Sequence, residues 1–123
     1  MPTLEFICGA NSTEGGQQND QTRYRPFAGR NSFLTSNTEA QISTKVFTSY
    51  TWANLYARLI LNDFTVGSST IRSRVGAANG NMLVTISAGL TGVFQDTVNT
   101  DALVSGNLID WQTVTQLEAD KNI

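Results

Sequence analysis

The chain contains no histidine and a single cysteine, Cys8. Without histidine there is no Ser-His-Asp or Cys-His nucleophile system and no histidine-ligated metal site. One cysteine forms neither an intramolecular disulfide nor a thiolate zinc site, so Cys8 reads first as a small buried apolar residue. Charge is scarce as well: Asp, Glu, Lys and Arg make up 15% of the 123 residues, against about a quarter in an average domain. The formal net charge of −2 offers no long-range attraction to nucleic acid or to an anionic membrane. No apolar run reaches the roughly 18 residues of a membrane-spanning helix, and Met1–Phe6 lacks the basic and apolar regions of a signal peptide. The glycines form neither a Walker loop nor a dinucleotide fingerprint. These absences lead to the expectation of a non-enzymatic chain with no cofactor, no nucleic-acid partner and no membrane insertion.

What is present points to sheets. Polarity comes from Ser, Thr, Asn, Gln and Gly, which suit turns and the solvent faces of strands better than helix surfaces. Ala40–Val46 alternates, with Ala40, Ile42, Thr44 and Val46 on one face, as in a half-buried strand. Phe47–Trp52 and Leu55–Leu61 follow; the second reads as a strand rather than a short helix because no cap or helical stripe surrounds it. Ser69–Val75 and Met82–Ile86 form a hairpin pattern around Asn79-Gly80, a pair favoured in two-residue turns. Val93–Gln95, a turn over Asp96–Thr100, Ala102–Val104 and a last strand from Leu108 to Val114 complete the pattern. Strands at intervals of roughly 8 to 12 residues without helices between them indicate one sandwich or barrel.

The first residues are organised differently. Leu4, Phe6 and Cys8 fall on one side of an extended strand, and the thirteen residues Gly9–Gln21 hold almost nothing that could enter a core. They read as a flexible linker. Fully extended, such a linker spans about 43 to 47 Å, more than the roughly 35 Å across a domain of this length. Leu4, Phe6 and Cys8 could therefore dock on their own sheet or be donated to that of a neighbour. Donation between unlike surfaces is head-to-tail and propagates into a filament unless rotation closes it.

Other side chains are candidates for chemistry. Asp63, Asp96, Asp101 and Asp110 are the carboxylates that could converge as a glycosidase pair, although their spacing selects none, and solvated turn acids are the competing reading. Asp96, Asn99 and Asp101 offer oxygen ligands at a spacing usable by Ca²⁺, though without the EF-hand pattern, and the same residue types favour ordinary turns. Arg23, Arg25 and Arg30, interleaved with Tyr24 and Phe27, resemble a small anion patch, or else pair with carboxylates. Trp52 and Trp111 are the candidate ligand-binding aromatics of a sugar-stacking platform, with core packing as the alternative.

The run Leu83-Val84-Thr85-Ile86-Ser87-Ala88-Gly89-Leu90-Thr91-Gly92-Val93-Phe94-Gln95-Asp96-Thr97, followed by Val104-Ser105-Gly106-Asn107-Leu108-Ile109, resembles C1q/TNF-like jelly-roll domains of bacterial surface and phage structural proteins. Asn107 stands where those domains carry an acidic residue. The resemblance implies an antiparallel jelly-roll and self-association in trimers or larger arrays. The expectation is therefore an all-β chain: a single jelly-roll-like antiparallel β-sandwich over residues 23–123, preceded over residues 1–22 by an extended strand and linker. Its expected function is that of a self-assembling subunit of an extracellular filament or phage-like particle, on the cell exterior or virion surface, partnered by copies of itself. A glycan- or receptor-binding module of a surface protein or fibre tip is the alternative.

Overall fold

The computed structural model describes residues 10–12, 21–26, 29–31, 38–119, 121 and 123. Among them the chain forms strands β1 (Ala10–Ser12), β2 (Thr22–Pro26), β3 (Gly29–Asn31), β4 (Thr44–Lys45), β5 (Tyr50–Leu59), β6 (Ser68–Val75), β7 (Ala78–Ser87), β8 (Gly92–Leu103) and β9 (Leu108–Val114). A single 3-10 turn covers Glu39–Gln41, and the described residues contain no α-helix. The all-β expectation holds.

Two antiparallel sheets pack face to face. The larger runs β2-β9-β6-β7, and β4 continues the β2 edge by pairing with the start of β9. The smaller consists of β5 and β8. Their inward side chains, among them Val46, Trp52, Leu55, Met82, Val84, Ile86, Leu103 and Ile109, form the core. β1 and β3 make a separate parallel pair. Ala10–Ser12 thus departs from the linker expectation, because its backbone bonds to β3 rather than to water.

Three hairpin-like pairings are nested in sequence: β6 with β7, β5 with β8 around them, and β2 with β9 outside both. The β6–β7 hairpin is present as expected, but its turn is Gly76-Ala77, with φ of 60° and 63°. Two successive positive φ values match the twist of paired strands. Asn79 and Gly80 lie inside β7, where the register slips between Arg72↔Leu83 and Arg74↔Asn79. The bulge leaves Met82 without a ladder partner, and the Ser73 hydroxyl satisfies it: Oγ accepts the Met82 N–H at 3.2 Å and lies 3.3 Å from its carbonyl. Gly80 is required by space. A Cβ there would collide with Ser73 Oγ and come within 2.7 Å of Asp101 Oδ2.

The β5–β8 pair also slips. After Ala53↔Thr100 the next pair is Leu55↔Asp96, so Asn54 alone opposes Thr97, Val98 and Asn99. Asn54 has φ of 62°, a conformation asparagine tolerates better than most residues. A slip of odd length reverses which face a strand buries. Here both strands reverse together: Trp52 and Leu103 point inward on one side of the slip, Leu55 and Phe94 on the other. The expected turn over Asp96–Thr100 is consequently a bulge within one twelve-residue strand.

The segment Ala40–Val46 forms less strand than its alternation suggests. Ile42 and Val46 are buried as expected. Local bonds replace the ladder before them, however, since Gln41 N–H donates to Thr38 and the Ile42 and Ser43 N–H groups donate to Glu39 C=O.

Gly80→Ala is expected to lose about 2 to 3 kcal/mol of stability through this overpacking. Ala77→Gly should gain about 0.5 to 1 kcal/mol, the relief of a positive φ exceeding the added freedom of the unfolded chain. Urea denaturation followed by tryptophan fluorescence measures both, and a Gly80→Ala protein as stable as the parent would contradict the bulge geometry.

Candidate functional site

Leu4, Phe6 and Cys8 lie outside the described residues, as does Phe27. Trp52 and Trp111 do come together, with ring centroids 4.3 Å apart at 57°. They do so inside the sandwich, however. Trp52 is only 6% exposed, and Trp111 is half-buried against the core. Burial of Trp52 between the sheets leaves its indole no face for a sugar, so the stacking-platform expectation is corrected for Trp52, while Trp111 keeps part of its surface exposed. Among the described residues the displayed aromatics are Phe47, Tyr56 and Tyr50, at 81%, 60% and 40% exposure.

Asp96, Asn99 and Asp101 have other work. Asp96 Oδ1 accepts the N–H groups of Val98 and Asn99 at 3.1 and 3.0 Å, and Oδ2 accepts Leu83 N–H and Asn99 Nδ2 at 2.9 Å each. These donors, the Asn99 backbone first, hold the Asp96 carboxyl well below the usual carboxylate range. Asp101 Oδ1 accepts Asn81 N–H at 2.7 Å and Oδ2 accepts the Ser73 hydroxyl at 2.5 Å. Asn99 turns its donor toward Asp96, so the oxygens expected to surround Ca²⁺ are instead directed at N–H and O–H groups. Among the described residues no group of three or more Asp, Glu or Cys side chains is gathered as a metal site would need.

Asp96 and Asp101 close the outer edge of β7, where no strand among the described residues pairs with the Asn81 and Leu83 N–H groups. Asn81 Nδ2 adds a bond to Thr100 C=O at 2.9 Å. The two sheets are thereby joined along one side by side chains. Asn107, the residue that departs from the jelly-roll resemblance, caps the β8–β9 turn by accepting Val104 N–H at 2.8 Å.

The arginine group divides by strand alternation. Arg23 and Arg25 share one face of β2, where Arg25 Nε reaches Thr113 Oγ1 at 3.4 Å and burial lowers the Arg25 pKa. Tyr24 occupies the opposite face, beneath the Arg74 guanidinium, 5.7 Å from its ring centroid.

That face carries a cluster of charges that sequence spacing does not reveal. Arg74 of β6 and Asp110 of β9 are direct cross-strand partners. Glu39, delivered by the 3-10 turn, binds Arg74 through two bonds, Nε–Oε1 at 2.8 Å and Nη2–Oε2 at 3.0 Å. Arg74 also donates to Asn79 Oδ1 and Ala77 C=O. Asp110 is 1% exposed, and its Oδ1 has no hydrogen-bond partner. Burial, followed by the charge of Glu39, pushes its carboxyl up to about 7, with Arg74 opposing. Glu39 and Asp110 thus both act on one guanidinium, that of Arg74. Such burial shields Asp110 from a substrate, and the cluster locks the turn to the sheet.

The opposite boundary of the sandwich is formed, among the described residues, by β5 and β2. Among the described residues β5 pairs only with β8, and β2 only with β9. β2 is short and ends in Pro26, which lacks a donor and discourages strand addition. β5 is ten residues long, without proline and with Arg58 as its single charge. On the outer face of the small sheet Tyr56 and Val93 are 60% and 64% exposed, and Val98 on the bulge is 87% exposed. No family model matches the chain, and comparison with curated proteins and with solved structures finds no match either. Fold and surface alone define its class: a two-layer all-β module with one boundary closed by carboxylates.

Because the carboxyl of Asp110 has a folded pKa of about 7 against an ordinary 3.8, the folded state holds this proton more tightly than the unfolded chain. Its contribution to stability is then full below about pH 4 and lost as pH rises through about 7. Asp110→Asn should flatten that fall, being more stable than the parent at pH 8 and equal to it near pH 4 in urea melts. An unchanged pH slope would contradict the assignment.

Proposed function

We propose that the chain is a non-enzymatic structural subunit, a jelly-roll module that assembles head-to-tail with copies of itself in an extracellular filament or phage-like particle. The observation that carries this reading is that, among the described residues, two strands, β5 and β8, face a larger sheet four strands wide, so that the β5 side of the smaller sheet is a candidate position for an added strand. Leu4, Phe6 and Cys8 supply a strand with one apolar face to fill such a position. Their burial would stabilise a docked strand by up to about 4 to 8 kcal/mol.

The nesting of the three strand pairs supports the jelly-roll reading, since a jelly roll is one long double strand wound on itself. Exposed Tyr56, Val93 and Val98 support an assembling surface rather than a solvated one. The glycan- or receptor-binding alternative loses Trp52 to the core. A carboxylate-based hydrolase is weakened too, because Asp96 and Asp101 serve the β7 edge on one strand while Asp110 sits on the far face of the larger sheet.

Removal of residues 2–8 should leave a folded protein, by circular dichroism, that no longer forms the assemblies of the full chain in negative-stain electron microscopy. Identical assemblies from the truncated protein would show that strand donation is wrong.

A further inference from the structure

We propose that the Glu39–Arg74–Asp110 cluster is a proton-operated latch on the larger sheet. While Asp110 is neutral, Arg74 holds Glu39, and with it the 3-10 turn, against the sheet. Once Asp110 is ionised, Arg74 turns to it, and Glu39 leaves with the turn for solvent. The device operates within one chain and does not depend on assembly.

The three groups differ in how firmly they are held. Asp110 stands in β9 between β2 and β6, opposite Pro26 and Arg74, so neighbouring strands fix its backbone on both sides. Arg74 is fixed in β6, and Asn79 Oδ1 and the Ala77 carbonyl accept from its head group. Glu39 is carried instead by a three-residue turn, in which the N–H groups of Gln41, Ile42 and Ser43 bond back to Thr38 and Glu39. Its carboxylate reaches the sheet through two bonds to Arg74, at 2.8 and 3.0 Å. If one member must move, Glu39 has the least to break.

One guanidinium cannot neutralise two carboxylates. With Asp110 ionised the cluster carries a net negative charge in a poorly solvated place, which is costly. Asp110 is 1% exposed and its Oδ1 has no hydrogen-bond partner, so an ionised carboxylate there draws a donor to itself. Among the described residues the other ionisable groups on this face are set one pleat away. Tyr24 of β2 and Arg72 of β6 stand opposite Gln112, and Lys45 of β4 stands opposite Leu108. On the far side of β6, β7 places the uncharged Asn79 opposite Arg74. Arg74, the direct cross-strand partner, is the cation that answers the new charge. Burial, followed by the charge of Glu39, raises the Asp110 carboxyl to about 7, so the proton is held below that pH and lost above it. The turn is accordingly held at pH 6 and freed at pH 8.

NMR of the full chain tests the latch. The Asp110 carboxyl carbon reports its protonation directly. Amide exchange at Ile42 and Ser43, which donate to Glu39 C=O, reports the turn once rates are corrected for their intrinsic pH dependence. The expected result is that Asp110 titrates between pH 6 and 8 while protection at Ile42 and Ser43 falls about tenfold and that of the β6–β7 ladder holds. Asp110→Asn should keep the turn protected at both pH values. Glu39→Gln should leave it poorly protected at both and move the Asp110 titration to lower pH, which a carboxyl raised by burial alone would not show.

Constant protection at Ile42 and Ser43 while Asp110 titrates would overturn the latch, as would an Asp110 that does not titrate in this range. An equal loss along the β6–β7 ladder would overturn it in favour of global destabilisation. Loosening that persists in Asp110→Asn would assign the proton to another group. The titration of the parent protein decides the outcome even where a variant fails to fold.

Discussion

The N–H groups of Asn81 and Leu83 point out of the larger sheet where no strand follows among the described residues, and two carboxylates of β8 accept them. Buried backbone donors must find acceptors, and the way this chain meets that demand organises the rest. Asp101 needs Gly80 beside it and shares its other oxygen with Ser73, which in turn serves the β7 bulge. Asp96 gathers the N–H groups of the β8 bulge, and that bulge lets β5 and β8 reverse their buried faces together. Removing either carboxylate would open the β7 edge and the bulge that depends on it.

On the other side, among the described residues, β5 is the outer strand of the smaller sheet, with β8 fastened to β7. A ten-residue edge without proline or inward charge is normally avoided, because it templates pairing with other chains. Its presence among the described residues, with Tyr56 and Val93 exposed on the same sheet, is the physical basis for the assembly proposal. The Glu39–Arg74–Asp110 cluster works on the opposite face, where it holds the 3-10 turn against the sheet and makes that anchoring sensitive to protonation near neutrality.

Much of the fold was legible in period-2 alternation. The β6–β7 hairpin, the last strand and the buried Ile42 and Val46 follow from it directly. Errors arose where a residue with a familiar local preference was used for a tertiary purpose. Asn79-Gly80 has the composition of a turn, but Gly80 is needed for the approach of Asp101, and the turn falls on Gly76-Ala77 instead. Asp96–Thr100 has the composition of a turn as well, yet its local bonds build a bulge inside a strand. Trp52 and Trp111 illustrate a different gap: aromatic residues serve cores and binding surfaces alike, and only the packing of two sheets around them shows that these two face inward.

The sequence by itself determined the strand content, the apolar faces and the exclusion of histidine chemistry, because these depend on residue type and on spacing along the chain. The tertiary structure alone decided that the Asp96 carboxyl is lowered in pKa and that of Asp110 raised. Asp96 and Asp110 are the same residue in similar strand contexts, but one is surrounded by N–H donors and the other is buried beside Glu39 with a single shared arginine. It also decided which edge the carboxylates close. Edge status depends on what lies alongside a strand, and that neighbour is distant in sequence.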